Sequence, residues 1–270
     1  MSNAMSSAER VLVKLGGTLL DAPESRSSLA AQIASARARG VEISIVHGGG
    51  RQMTRYLADR GVESRFMNGL RVTTPETVDA LLKVFAGAVN HELVASLNGA
   101  GALAVGLSGI DAFLAEAEQM DPALGAVGRI TQANGALLHL LTAHGYLPVV
   151  ACVAGDRAGN IYNVNADQMA AACAVAFGAR RLIFLTDVEG VLDASKRLLP
   201  ALTLAESREL ISSGVAAGGM QAKLNAALAA LEDGVEQVVI APGAAENALL
   251  RALGGDAIGT QMQAREPHAA

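Results

Sequence analysis

Runs of Val, Ile and Leu recur along the chain at "VLVKL" (11–15), "EISIVH" (42–47), "ALAVGL" (102–107), "YLPVVA" (146–151), "RLIFLT" (181–186) and "QVVIA" (237–241). Each is short and almost continuously apolar, the mark of a strand buried on both faces. Between most of them lie segments with apolar residues at helical spacing, such as "SLAAQIASARARG", "TVDALLKVFAGAVNHELVASLNG" and "AKLNAALAALEDG". Strand alternating with helix predicts an α/β fold whose mainly parallel sheet is covered on both sides. In such sheets ligands sit beyond the carboxyl ends of strands. Two of those ends carry distinctive residues, "KLGG" after the first strand and "HGGG" after the second.

The alternation breaks at 109–130, where Gly, Asp and Pro separate short apolar pieces, and at "GDRAGNIYNVN" (155–165). Both read as hairpin or loop insertions beside the main sheet. No Gly/Ser-rich linker and no repeat interrupts the chain, so one compact unit with two lobes is expected.

Composition narrows the partners. At 270 residues with 51% hydrophobic content the chain can bury a large core. A net charge of −5, no block of lysine or arginine and only 3% aromatic residues argue against a nucleic-acid surface. The stretch "MAAACAVAFGA" (169–179) reads as a buried helix, being shorter than the roughly 20 residues that span a bilayer, and no membrane partner is expected. Met1–Ala4 reads as an expression scar, with native sequence from Met5; no basic and apolar leader precedes Val11, which predicts a cytoplasmic protein. Cys152 and Cys173 stand far apart without ligand-spaced companions, predicting reduced core thiols and no protein-built metal centre.

The glycines and charges carry the chemistry. Gly48–Gly50 between a strand and a helical pattern could present backbone N–H groups and a helix dipole to a carboxylate or phosphate, or could simply make a tight turn. His47 is either a general base or, as favoured here, a strand-end residue hydrogen-bonded to a neighbouring loop. Lys14 is either a strand-end residue snorkelling to water or a cation with a ligand. In "NVNADQMAA" (163–171), Asn165 or Asp167 could cap the next helix. In "GGMQAKLNAALAAL" (218–231), Lys223 lies within the first turn or so of a helix, where it opposes the dipole unless an anion binds there.

The ordered set "KLGGTLLD", "VHGGG", "NGLRVT", "VGLSG", "NVNAD", "TDVEGVLD" and "GGMQAK" resembles the amino acid kinase family from Val11 to about Gly259. "GLRVT" with "NVNAD" is similar to the branch that phosphorylates N-acetyl-L-glutamate. The resemblance implies a three-layer αβα sandwich with a mainly parallel sheet of about eight strands. After a short segment at 1–10, residues 11–180 would form a lobe for the acyl amino acid and for dimerisation, and 181–270 a lobe for ATP. Lys14 and Lys223 match the lysines that neutralise the transferring phosphoryl group, and Asp167 the aspartate that holds both. Gly16 and Gly17 match the glycines beside the phosphates; Thr186, Asp187, Val215 and Lys223 match the nucleotide site. Gly49, Gly50, Arg71 and Asn163 match the residues that bind the acyl amino acid. Mg²⁺ would be held mainly by ATP oxygens and water.

Two features depart from the family pattern: His91 stands where relatives usually carry lysine, and "GIDAFLAEAEQMD" lacks a second glycine and basic residues. These bear on substrate closure and acyl-group choice. Arginine-sensitive relatives carry an extra amino-terminal helix. Here "MSSAER" supplies six residues before the first strand, which predicts a homodimer that arginine does not inhibit. The competing readings are a kinase for another acylated or carrier-linked acidic amino acid and a non-catalytic sensor on the same fold.

Overall fold

The computed structural model describes residues 8–264. The scar at Met1–Ala4 and the start at Met5 lie outside the described residues. β1 (Arg10–Leu15), a 3-10 turn (Gly17–Leu20), α1 (Pro23–Ala38), β2 (Glu42–His47) and α2 (Gly50–Ala58) open the chain. A small hairpin follows, β3 (Phe66–Met67) and β4 (Leu70–Arg71), turning at Asn68 and Gly69, which both have positive φ. An Asn-Gly pair suits that two-residue turn because both positions tolerate the left-handed region.

A continuous helix spans Pro75–Gly99 in three parts: α3 (Pro75–Leu81), a π-helical segment (Leu82–Val89) and α4 (Asn90–Gly99). Thr74 caps its start by accepting from the Thr77 N–H, with Pro75 at the first helical position. Next come β5 (Ala104–Ser108), β6 (Ala115–Gln119), β7 (Val127–Ala133), α5 (Ala136–Ala143), β8 (Leu147–Ala151), β9 (Val153–Gly155), β10 (Ile161–Val164) and α6 (Ala166–Ala176). The chain finishes with β11 (Arg181–Thr186), β12 (Ala201–Leu202), α7 (Leu204–Ser212), α8 (Gly218–Glu232), β13 (Gln237–Pro242), α9 (Ala248–Gly254) and β14 (Thr260–Gln263).

One eight-stranded sheet runs in the order β12-β14-β13-β11-β1-β2-β8-β5, with every pair parallel except β13 and β14. α1 packs with α4 and α9, and α6 with α8, and both groups meet the same central strands, so the sheet is covered on both faces. That is why its strands are continuously apolar: Val11, Leu12, Val13 and Leu15 of β1 are fully buried.

Three details differ from the expectations. The strands expected at 102–107 and 146–151 start at Ala104 and Leu147. The two insertions are hairpins, but β6, β7, β9 and β10 close into a single small barrel in the order β10-β7-β6-β9. Among the described residues one helix, Pro75–Gly99, is long and apolar enough to cross a membrane by length and composition, yet its Leu81, Val84, Phe85, Leu93 and Leu97 lie in the core. Cys152 and Cys173 are free and buried, and burial pushes both thiols up to about 12.

Candidate active site

Parallel register brings three strand ends to one edge of the sheet. Leu15 of β1 pairs with Leu185 of β11 and with His47 of β2. The turns that follow stay tied: the Gly16 N–H donates to the Leu185 carbonyl at 2.9 Å, and the Gly48 N–H to the Leu15 carbonyl at 3.4 Å. The "KLGG" and "HGGG" turns face each other closely. A Cβ on Gly17 would sit 3.5 Å from the Gly50 nitrogen and 3.6 Å from the Gly49 Cα. Gln52, on the first turn of α2, bridges them by donating Nε2 to the Gly17 carbonyl at 3.0 Å, while its Oε1 is buried without a partner.

Beside these turns lie the two expected lysines and the aspartate. Lys14 Nζ is 2.7 Å from Asp167 Oδ1, at a poor hydrogen-bonding angle, and Lys223 Nζ donates to Asp167 Oδ2 at 3.0 Å. Their side chains are 10%, 8% and 9% exposed for Lys14, Lys223 and Asp167, so the group is almost dry. Asp167 is free for this role because Asn165 is the cap of α6, its Oδ1 accepting from the N–H groups of Asp167 and Gln168. Lys223 is the sixth residue of α8, in its second turn rather than its first, with Nζ 5.2 Å from the Phe184 ring centroid.

The electrostatics show what this arrangement lacks. Two ammoniums and one carboxylate leave one positive charge uncompensated in a buried place. Burial acts most strongly on the Asp167 carboxyl and pushes it up, but Lys14 and then Lys223 together outweigh burial and hold it below the usual carboxylate range. Burial and then the Lys14 charge push the Lys223 ammonium down, with Asp167 and Asp187 opposing. An anion would complete a cluster of this kind, and α8, which carries Lys223, starts without a side-chain cap.

The remaining expected residues fall on either side. Thr186 ends β11, with Oγ1 donating to Asp187 Oδ1 at 3.2 Å; Asp187 reaches Arg51 at 4.0 Å. Val215 is 39% exposed in the turn before α8. Arg71 sits against α2. Its Nη2 donates to the Gly50 carbonyl at 3.1 Å and to Thr54 Oγ1 at 2.7 Å, its Nη1 donates to Ser64 Oγ, and its guanidinium carbon lies 4.7 Å from the Phe66 ring centroid. Asn163 Nδ2 donates to Thr73 Oγ1 at 3.0 Å, and that hydroxyl donates to the Arg71 carbonyl at 2.8 Å. Thr73 and Gln52 were not anticipated. A fully buried threonine two residues after the arginine, and a polar residue in the helical turn after the glycines, are the signals that mark them.

His47 has the structural role favoured above: fully buried, with Nδ1 2.9 Å from the Gly48 carbonyl and Nε2 2.9 Å from Asn90 Nδ2. Burial pushes its imidazole down to about 4. The folded protein thus keeps His47 neutral where the unfolded chain takes up a proton near its ordinary pKa of about 6.5. Stability contributed by this group is complete above that value and is lost as pH falls toward about 4, a decline worth about 3 kcal/mol in total. Denaturant titrations at a series of pH values check this: His47→Gln is expected to remove that part of the slope.

Among the described residues no group of three or more His, Cys, Asp or Glu side chains is placed to hold a metal ion.

Comparison with known proteins accords with this geometry. The sequence profile of the amino acid kinase family matches residues 9–242. The chain is 74% identical over 253 residues to the acetylglutamate kinase of Solibacter usitatus (strain Ellin6076), covering 94% of this chain and 98% of that one. It is 41% identical to the acetylglutamate kinase of Oleidesulfovibrio alaskensis, covering 95% and 91%. Among solved structures, smu.665 from Streptococcus mutans UA159 superposes with a TM-score of 0.82 at 27% identity, covering 95% of this chain and 99% of that one. The N-acetylglutamate synthase of Neisseria gonorrhoeae, complexed with coenzyme A and N-acetyl-glutamate, gives 0.85 at 27% identity over 96% of this chain and 60% of that longer one.

Proposed function

This chain belongs to the amino acid kinase family, and from that premise we propose that it transfers the γ-phosphoryl group of ATP to the side-chain carboxylate of N-acetyl-L-glutamate, giving N-acetylglutamyl 5-phosphate in arginine biosynthesis. The observation that carries the reading is the buried Lys14–Asp167–Lys223 cluster with its unmatched positive charge, beside two facing glycine turns. A side-chain carboxylate, with an ordinary pKa near 4.3, is already an ionised nucleophile at neutral pH. It needs no general base. What it needs is relief from repulsion by the polyphosphate and stabilisation of the charge on the phosphoryl oxygens during transfer. Lys14 and Lys223 supply that charge, and Asp167 lowers their mutual repulsion while fixing both ammoniums.

In the proposed arrangement the 11–180 lobe holds the acyl amino acid through Gly49, Gly50, Arg71 and Asn163. The 181–270 lobe holds ATP through Thr186, Asp187, Val215 and Lys223, with Gly16 and Gly17 beside its phosphates. Mg²⁺ bound with ATP would offset phosphate charge and would be held by ATP oxygens and water, Asp167 being engaged by both lysines. The absence of a Cβ at Gly17 supports close approach of phosphate to the backbone. A homodimer belongs to the same proposal, supported by the outer edge of β5, which pairs with no strand among the described residues, and a cytoplasmic location belongs to it too.

ATP consumption measured against N-acetyl-L-glutamate, N-acetylaspartate, glutamate and aminoadipate tests the reading, with N-acetyl-L-glutamate expected to give the highest kcat/KM. Preference for any other member of that panel contradicts it. Arg71→Ala is expected to raise KM for N-acetyl-L-glutamate by about 30-fold, because charge-assisted hydrogen bonds are worth about 1.5–3 kcal/mol each. KM for ATP should move far less. Equal effects on both constants in steady-state assays would remove Arg71 from the substrate site.

A further inference from the structure

The buried polar pair His47 and Asn90 lies outside the phosphate chemistry, and β5 reaches it from a third side through Gly106, itself exposed. Asn90 is 1% exposed and stands where the π segment of the long helix gives way to α4. Its Nδ2 is 2.9 Å from the Val149 carbonyl of β8 and 2.9 Å from His47 Nε2. A carbonyl must be met by an N–H, so the orientation of the Asn90 amide is fixed, and its second N–H makes His47 Nε2 the acceptor. The imidazole proton therefore sits on Nδ1, which donates to the Gly48 carbonyl at 2.9 Å. β5 makes room for this arrangement: a Cβ on Gly106 would lie 2.1 Å from Asn90 Oδ1.

The same helix holds the next residue of the turn. Phe85, in the π segment, packs so closely on Gly49 that a Cβ there would lie 2.7 Å from its ring. π-helical turns inside longer helices recur at functional sites. In a planar trans peptide the carbonyl oxygen and the following N–H point in opposite directions. A Gly48 carbonyl pinned toward the buried imidazole thus turns the Gly49 N–H away from the core.

We infer that Asn90 and His47 are positioning residues for the acyl amino acid: through the Gly48 carbonyl they aim the Gly49 N–H at a carboxylate or amide oxygen of that ligand, and Gly106 is small so that Asn90 can do so. The inference rests on the function proposed above and adds to it a device that sets substrate affinity from behind the loop. No proton moves to or from His47 in the reaction.

The test compares KM for N-acetyl-L-glutamate, KM for ATP and the melting temperature in wild type, His47→Asn, His47→Gln and Gly106→Ala. Asparagine keeps a donor near the Nδ1 position, whereas glutamine keeps an acceptor near Nε2 and fills more of the imidazole volume. The positioning role predicts that His47→Gln raises KM for the acyl amino acid about tenfold more than His47→Asn does, the loss of one hydrogen bond. Gly106→Ala is expected to raise the same KM about tenfold with little change in KM for ATP. A residue that only fills the core predicts the opposite order, with glutamine nearer to wild type in both KM and melting temperature, and that result overturns the inference. Equal shifts in both Michaelis constants, or none, overturn it as well. Should Gly106→Ala fail to fold, the two His47 variants decide alone. Absence of wild-type turnover on N-acetyl-L-glutamate defeats the proposed function and this inference with it; normal wild-type turnover with the wrong variant order defeats the inference only.

Discussion

Lys223→Ala and Lys14→Ala are each expected to lower kcat by about 10²–10³-fold, the usual effect of removing one preorganised donor from a developing oxyanion. Stability is expected to move the other way or not at all. Each variant leaves a single lysine paired with Asp167, so the buried cluster falls from one unmatched positive charge to none. The Lys223 ammonium is already pushed down by burial and by Lys14, so the empty site holds it at a cost. Steady-state kinetics together with thermal melts distinguish this from general damage. Near-normal turnover in either variant, or a loss of activity that tracks a loss of folding, would remove that lysine from the phosphoryl site.

Asp167→Asn is expected to lower kcat by at least about 100-fold as well, with the opposite effect on stability. The amide keeps the shape and loses the charge, so two nearly dry ammoniums 2.7 and 3.0 Å from that side chain's oxygens are left facing each other. Breaking a buried pair from one side costs about 3–5 kcal/mol, moderated here because a lysine can give up its proton. The folded variant should therefore recover stability as pH rises into the alkaline range, which denaturant midpoints would record. Because Asn165 caps α6, helix capping is untouched by this substitution. A fully active asparagine variant would show that Asp167 does not organise the lysines.

How much of this was legible in the sequence depends on what each residue answers to. "EISIVH" and "RLIFLT" match β2 and β11 to the residue because a strand buried on both faces needs an unbroken apolar run. "AEAEQ" in β6 carries no such pattern: alanine and glutamate favour helices, and only pairing with β7 and β9 makes it a strand, with a register shift at Glu116/Ala117. Closure of the two hairpins into one barrel was therefore hidden. Asp167 and Lys223 are 56 positions apart, and no local rule joins them; the likeness to the family did. The N-cap question at Asn165 and Asp167 stayed open because both residue types cap well, and only the geometry assigns the cap to Asn165. The π segment was unreadable for a similar reason. Phe85 of that segment packs on Gly49 and the following Asn90 reaches His47, and neither contact shows in the helical spacing of "TVDALLKVFAGAVNHELVASLNG". By contrast, Asn68-Gly69 was a local signal within a quoted motif, and its hairpin ends at Arg71.

Trapping with hydroxylamine tests the central claim most directly, since an acyl phosphate reacts with it to give a hydroxamate while a phosphate ester does not. Wild-type protein incubated with ATP, Mg²⁺, N-acetyl-L-glutamate and hydroxylamine is expected to form one N-acetylglutamyl hydroxamate for each ADP released, and the Asp167→Asn variant almost none. ADP released without hydroxamate, or hydroxamate formed at an undiminished rate by Asp167→Asn, would contradict phosphoryl transfer to a carboxylate at the Lys14–Asp167–Lys223 cluster.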